Sequence, residues 1–126
     1  FSSLYHRKVR HIIRKVDKLS RMAREVAWVS GACMVIRRDD LEAVGLLDER
    51  FFMYTEDVDL CVQMAKRGRK VLYVAGAELL HYRGRSAARN PELERLRQQS
   101  HVAYYEKHQP AWAPLLRWYL KALGKL

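Results

Sequence analysis

Acidic residues are almost missing from both ends of this 126-residue chain. Residues 1 to 24 carry eight Lys or Arg against Asp17 alone, a net of +7, and residues 113 to 126 carry Arg117, Lys121 and Lys125 with no acid, a net of +3. Residues 25 to 112 hold thirteen bases and thirteen acids, so the overall charge of +10 resides in the ends. A neutral body argues against nucleic acid as a partner, because phosphate binding needs cations on the surface that does the binding. Cysteine is scarce too. Cys33 and Cys61 have neither Cys-x-x-Cys spacing nor a nearby His pair, so the expectation is two buried thiols in a reducing cytoplasm.

No apolar run approaches the roughly 20 residues that span a bilayer. The longest, Val26 to Ile36, is interrupted by Ser30 and Gly31. The basic, amphipathic start from Phe1 to Arg24 lacks the continuous apolar segment of a signal peptide, and without an initiating Met the chain reads as a fragment. Internal repeats and low-complexity linkers are also lacking. With 49% hydrophobic residues, the expectation is one domain with a real core folded around one sheet.

What the chain does concentrate is Phe51-Phe52-Met53-Tyr54-Thr55-Glu56-Asp57-Val58-Asp59-Leu60. Four large apolar or aromatic residues run into three acids, an arrangement in which a buried platform delivers carboxylates to one spot. Thr55 is a good N-cap, and the spacing of Val58, Cys61, Val62 and Ala65 predicts a helix ending at Gly68. Acids in a first turn are favoured by the helix dipole, each by only about 0.3 to 1 kcal/mol when exposed. Three of them exceed what one helix start needs.

The rest of the chain supplies the frame. Tyr5, Val9, Ile12, Ile13, Val16 and Leu19 recur at three and four, predicting an amphipathic helix with a basic opposite arc. Such a helix suits an anionic membrane surface, where each cation is worth about 1 kcal/mol. Cys33 to Ile36 reads as a buried strand, and Gly31-Ala32 before it leaves room for close approach to the backbone. Asp39 or Asp40 caps a short helix, Leu41 to Val44, closed by Gly45. Val71 to Val74 and Glu78 to Tyr82 read as extended runs, so helix, turn and strand point to an α/β layer. Asn90-Pro91 opens a helix to about Lys107 that Pro110 breaks, and a last helix runs from near Pro114 to Leu123. His81-Tyr82-Arg83-Gly84-Arg85-Ser86 is a polar cationic segment able to hold a diphosphate and a metal ion, since guanidinium forks fit phosphate oxygens and imidazole ligates divalent metals.

The span Trp28 to Ser86 resembles the acceptor-side half of inverting glycosyltransferases of family 2, particularly the rhamnosyltransferase-like group. The resemblance is carried by Val29-Ser30-Gly31-Ala32-Cys33-Met34-Val35-Ile36-Arg37-Arg38, by Gly45 to Tyr54, by Glu56-Asp57-Val58-Asp59-Leu60 and by His81-x-x-Gly84-x-Ser86. It implies an α/β fold, the acceptor-side half of a GT-A (nucleotide-diphospho-sugar transferase) fold, here with basic amphipathic helices at both ends. It further implies Asp57 as catalytic base, Glu56 orienting a sugar, and Gly31, Ala32, Met53 and Tyr54 near the substrate. Arg83, Arg85 and Ser86 would face the diphosphate of the donor, and His81 would complete the shell of a Mg²⁺ or Mn²⁺ ion. Asp57-Val58-Asp59 also spells the Asp-x-Asp pattern with which these enzymes hold the metal. That pattern works at a strand end, where residues i and i+2 point the same way. In a helix they are turned about 200° apart, so Asp59 is expected to be structural or to support the site from behind. The family's own metal motif and its nucleotide-binding units lie in an amino-terminal half that this chain does not contain.

The organisation implied is a basic helix over 1–24, an acceptor-side half-domain over 25–89, and carboxy-terminal helices over 90–126 near a membrane. The expected activity is inverting transfer of a sugar, with rhamnose from its dTDP-activated form as the family-level choice, to a cell-surface polysaccharide or lipid-linked acceptor. The expected location is cytoplasmic, peripheral on the inner face of the plasma membrane. Alone, the chain is expected to be inactive because the donor-binding half is missing. The competing reading is a non-catalytic membrane-docking module in which the acids only cap a helix.

Overall fold

The computed structural model describes residues 11, 14, 16, 18–82 and 91–126. In chain order they form β1 (Arg24–Glu25), α1 (Arg38–Ala43), α2 (Glu56–Lys66), β2 (Leu72–Tyr73), α3 (Pro91–His108) and α4 (Ala113–Ala122). Described residues between 11 and 20 have helical backbone, with Val16 and Leu19 exposed. The rest of the expected basic helix over 1–24 falls largely outside the described residues.

The helices follow local chemistry. α2 starts where the acids start and stops where Gly68 takes a φ of +73°, a left-handed turn that glycine enters without a Cβ clash. There the N–H of Gly68 donates to the carbonyl of Ala65 and that of Arg69 to Met64. Gly45, at φ +88°, closes α1 in the same way. Asp39 and Asp40 lie inside the first turn of α1 instead of capping it; the cap position is Arg37, with no side-chain bond. Pro91 opens α3 at the position where a missing N–H costs nothing.

The sheet departs from expectation. Among the described residues the only ladder is β1 against β2, antiparallel, with Arg24 opposite Tyr73 and Glu25 opposite Leu72. Residues 33–36, expected as a buried strand, have no regular structure, and Val35 is 98% exposed. Residues 78–82 are likewise outside any described strand, and they are exposed. Apolar, β-branched composition is a preference for a pleated, half-buried surface, and these segments meet no strand among the described residues that would provide one.

The core is therefore helical. Leu60, Cys61 and Met64 of α2, Val102 of α3, and Ala113 and Leu120 of α4 are buried, with Phe51 from the loop before α2. Of the expected aromatic platform only Phe51 is fully inside; Met53 is half-buried, and Phe52 and Tyr54 face out. Cys61 is buried as expected, whereas Cys33 is exposed. Burial pushes the Cys61 thiol up from its ordinary value, although the Val29 backbone hydrogen-bonds it. One thiol per native chain, Cys33, is therefore expected to react with a thiol-specific dye within minutes, and Cys61 only on unfolding; two fast thiols would contradict this burial.

Candidate active site

Thr55 occupies the cap position of α2, but its side chain makes no capping bond and its φ is +71°. Tyr54 before it is also left-handed, at φ +66°. Two successive non-glycine residues in this region cost on the order of 1–3 kcal/mol each, so neighbouring contacts must hold them. One such contact is visible: the buried Ser100 hydroxyl of α3 donates to the Met53 carbonyl at 2.9 Å. The strained turn sets the direction in which Glu56 and Asp57 leave the loop.

Asp57 reaches back to the Ser30-Gly31 turn. Its Oδ2 accepts the Gly31 N–H at 2.8 Å, and its Oδ1 accepts the N–H of Val58 at 2.8 Å. A Cβ placed on Gly31 would lie 3.5 Å from the Asp57 Cβ and 3.6 Å from Oδ2. The glycine thus keeps the approach to this carboxylate open. Asp57 and Cys61, one helical turn apart on α2, grip Gly31 and Val29 respectively. Ala32 is exposed beside them, its N–H turned to the Ser30 hydroxyl at 3.3 Å. Next to Asp57, Glu56 has a buried Oε2 with no hydrogen-bond partner, an acceptor left unsatisfied at a cost of about 1–3 kcal/mol.

Asp59 goes elsewhere. It is 1% exposed and accepts hydrogen bonds from Gln63 Nε2 at 2.8 Å, Lys107 Nζ at 2.8 and 2.9 Å, and His108 Nε2 at 2.6 Å. Lys66 Nζ lies 3.0 Å from His108 Nδ1. With lysine able only to donate, Nδ1 accepts and Nε2 carries the proton given to Asp59. Lys107 also donates to Asp48 Oδ2 at 2.8 Å, and Arg50 grips Asp48 through both oxygens. The Arg50 guanidinium, helped by Lys107, holds Asp48 well below the usual carboxylate range against the opposing effect of burial. For Lys107, burial disfavours the ammonium most, yet the bonds to Asp48 and Asp59 outweigh it and raise its pKa above the ordinary value. The two acids of Asp57-Val58-Asp59 thus diverge, Asp57 to the Gly31 turn and Asp59 into a buried ion cluster.

The remaining expected site residues are distributed unevenly. Tyr54 and Thr55 line a cleft of about 440 Å³ shared with Gln98 and His101 of α3 and Leu116 and Tyr119 of α4. Met53 is tied by its carbonyl to Ser100. His81 is exposed near the end of the irregular 77–82 segment, and Arg83, Arg85 and Ser86 lie outside the described residues. Among the described residues no three His, Cys, Asp or Glu side chains converge as a metal would require. His81 therefore offers a single imidazole, and the described residues do not by themselves fit a bound cation. Sequence reasoning missed Lys107, His108 and Asp48. The available signal was a Lys-His pair in the last turn of a helix, together with one acid more than the α2 start needs.

A family model described as glycosyltransferase like family 2 matches residues 2–105. Over 107 residues the chain is 37% identical to an N-acetylglucosaminyl-diphospho-decaprenol L-rhamnosyltransferase of Mycobacterium tuberculosis, covering 83% of this chain and 35% of that protein. It is 37% identical over 57 residues to the rhamnosyltransferase WbbL of Escherichia coli, covering 45% of this chain and 22% of the relative. It is 34% identical over 58 residues to the O-antigen biosynthesis protein RfbC of Myxococcus xanthus, covering 46% and 4%. The chain thus spans about a third of the length of its Mycobacterium tuberculosis relative. No solved structure matches it. With a family match running from residue 2 to residue 105, and with Asp57 of α2 folded onto the Ser30-Gly31 turn, the chain belongs to the glycosyltransferase like family 2.

Proposed function

We propose that this chain is the acceptor-side part of an inverting glycosyltransferase that moves a sugar from a nucleotide-diphosphate donor to a saccharide or lipid-linked acceptor. The observation that carries the reading is the pairing of two unlike carboxylates. Asp57 is oriented by two backbone N–H groups and keeps further lone-pair sites on both oxygens, while Glu56 Oε2 lacks a partner. A sugar hydroxyl entering over Gly31 would donate its proton to Asp57 as its oxygen attacks the anomeric carbon. The bond from that carbon to the diphosphate oxygen breaks on the opposite face, and the diphosphate leaves with the electron pair. Glu56 accepts a second hydroxyl and fixes the sugar's orientation. General-base assistance of this kind is worth about 10²- to 10⁴-fold.

Rhamnose is the proposed sugar, because two relatives bear rhamnosyltransferase names. The proposed setting is cell-surface polysaccharide synthesis at the inner face of the plasma membrane, with the enzyme bound peripherally. Mg²⁺ or Mn²⁺, when present, would neutralise charge on the leaving diphosphate; His81 is the one described residue proposed to touch it. Donor binding is assigned to residues outside these 126, so the chain alone is proposed to be inactive.

The test is transfer by the full-length protein from a panel of nucleotide sugars into membrane extract, with Mg²⁺, Mn²⁺ or a chelator. Transfer from dTDP-rhamnose alone is the expected result. Transfer from a different donor would remove rhamnose, and no transfer from any donor by folded protein would favour the non-catalytic docking module.

A further inference from the structure

α4 is apolar on two opposite sides. Ala113 and Leu120 are buried and Leu116 is half-buried, so one face is spent on the fold. The other face presents Leu115, Trp118 and Ala122, related by three, four and seven residues and all exposed, with Trp118 at 68%, while Tyr119 borders the cleft it shares with Tyr54 and Thr55. Trp112, at the helix start, is exposed as well. Single exposed apolar residues are ordinary, but a contiguous set marks a contact surface. Arg117 is held by Glu106 of α3, so α4 is pinned to its neighbour beside this face. Nothing in the fold needs to move for the face to be used.

Charge decides what it contacts. Lys121 sits in the last turn of α4 and Lys125 just beyond it, both exposed, and residues 113–126 contain no acid. Trp and Tyr, with apolar bodies and polar tips, settle at the boundary between headgroups and acyl chains. Lysines beside them can lay their stems on apolar surface and extend the ammonium to a phosphate. Ten helical residues give a patch about 15 Å long. That suits lying in an interface plane, and no described helix is long and apolar enough to cross a membrane.

We propose that the outer face of α4, through Leu115, Trp118 and the flanking Lys121 and Lys125, is a docking surface for an anionic phospholipid bilayer. The test is co-sedimentation of the full-length protein with vesicles of equal phosphatidylglycerol and phosphatidylcholine, and with phosphatidylcholine alone. Binding to the anionic vesicles is expected to fall at least about tenfold in a Leu115→Gln/Trp118→Gln variant. It should fall about fivefold for each of Lys121→Gln and Lys125→Gln, with added salt abolishing that difference. Far-UV circular dichroism should be unchanged, since all four side chains are outside the core. Equal binding by wild type and the apolar double variant would overturn the proposal, because it would assign adsorption to other basic regions such as residues 1–24. So would a dimer in sedimentation velocity that the same variant dissolves, which would make the face a contact between two copies. The measurement reads binding without sugar transfer, so its failure leaves the catalytic proposal standing.

Discussion

Asp57→Asn in the full-length protein is expected to lower the turnover number by about 10²- to 10⁴-fold while leaving KM and thermal stability nearly unchanged. The asparagine carbonyl can keep the bond that Oδ2 now takes from Gly31, so the turn stays seated on α2, while the bond that Oδ1 takes from the Val58 N–H is given up. What is lost is the ability to accept the acceptor's proton during attack. Glu56→Gln should differ, because an amide oxygen still accepts a hydrogen bond and the orphan acceptor at Oε2 is not the base; its main effect should be on KM. Initial rates with the donor identified in the panel, together with melting curves, separate the two. Near-normal turnover in Asp57→Asn would remove Asp57 from the role of base.

Two residues further along the same helix the expected result reverses. Asp59→Ala should destabilise the protein by about 3 kcal/mol, because the half-buried Lys107 ammonium loses one of its two carboxylates and His108 its acceptor. Lys107, already paying for burial, would keep only Asp48, and His108 would lose the acceptor for its Nε2 proton. Lys107→Met should be similarly costly, since it leaves the 1%-exposed Asp59 carboxylate without its cation. For a chain of this size such losses lower the melting temperature by roughly 10–20 °C. A melting temperature within a few degrees of wild type for both variants would show that the cluster is not needed for the fold.

The same cluster gives stability a pH dependence with a definite sign. Asp48 has a carboxyl pKa lowered by Arg50 and Lys107 in the folded state, so its contribution is complete above the ordinary carboxylate pKa of about 4. It is lost as pH falls through the lower folded value. Lys107, raised in the folded state, contributes fully below the ordinary lysine pKa of about 10.4 and loses that contribution as pH climbs through the raised value. Denaturant midpoints should therefore hold between these limits and fall on both sides, with Arg50→Gln weakening the acid arm.

The amino-acid sequence by itself determined α2, α3 and α4, the punctuation by Gly45, Gly68 and Pro91, and the family, through short motifs in fixed order. Helical hydrogen bonds, caps and breakers act within a few residues, so they are readable without knowing what lies across the molecule. It also marked Glu56 and Asp57 as the acids to watch and predicted that Asp59 would turn away from them. Only the tertiary structure decided where each acid ends up. Gly31 is 26 positions from Asp57, and Lys107 and His108 are 48 and 49 from Asp59, and no local pattern encodes such meetings. Strands were misjudged at residues 33–36 for the same reason, since a strand is completed by a partner while its composition is local. The left-handed Tyr54-Thr55 turn was illegible too, because neither residue prefers that backbone and packing against α3, including the Ser100 bond to Met53, holds it there.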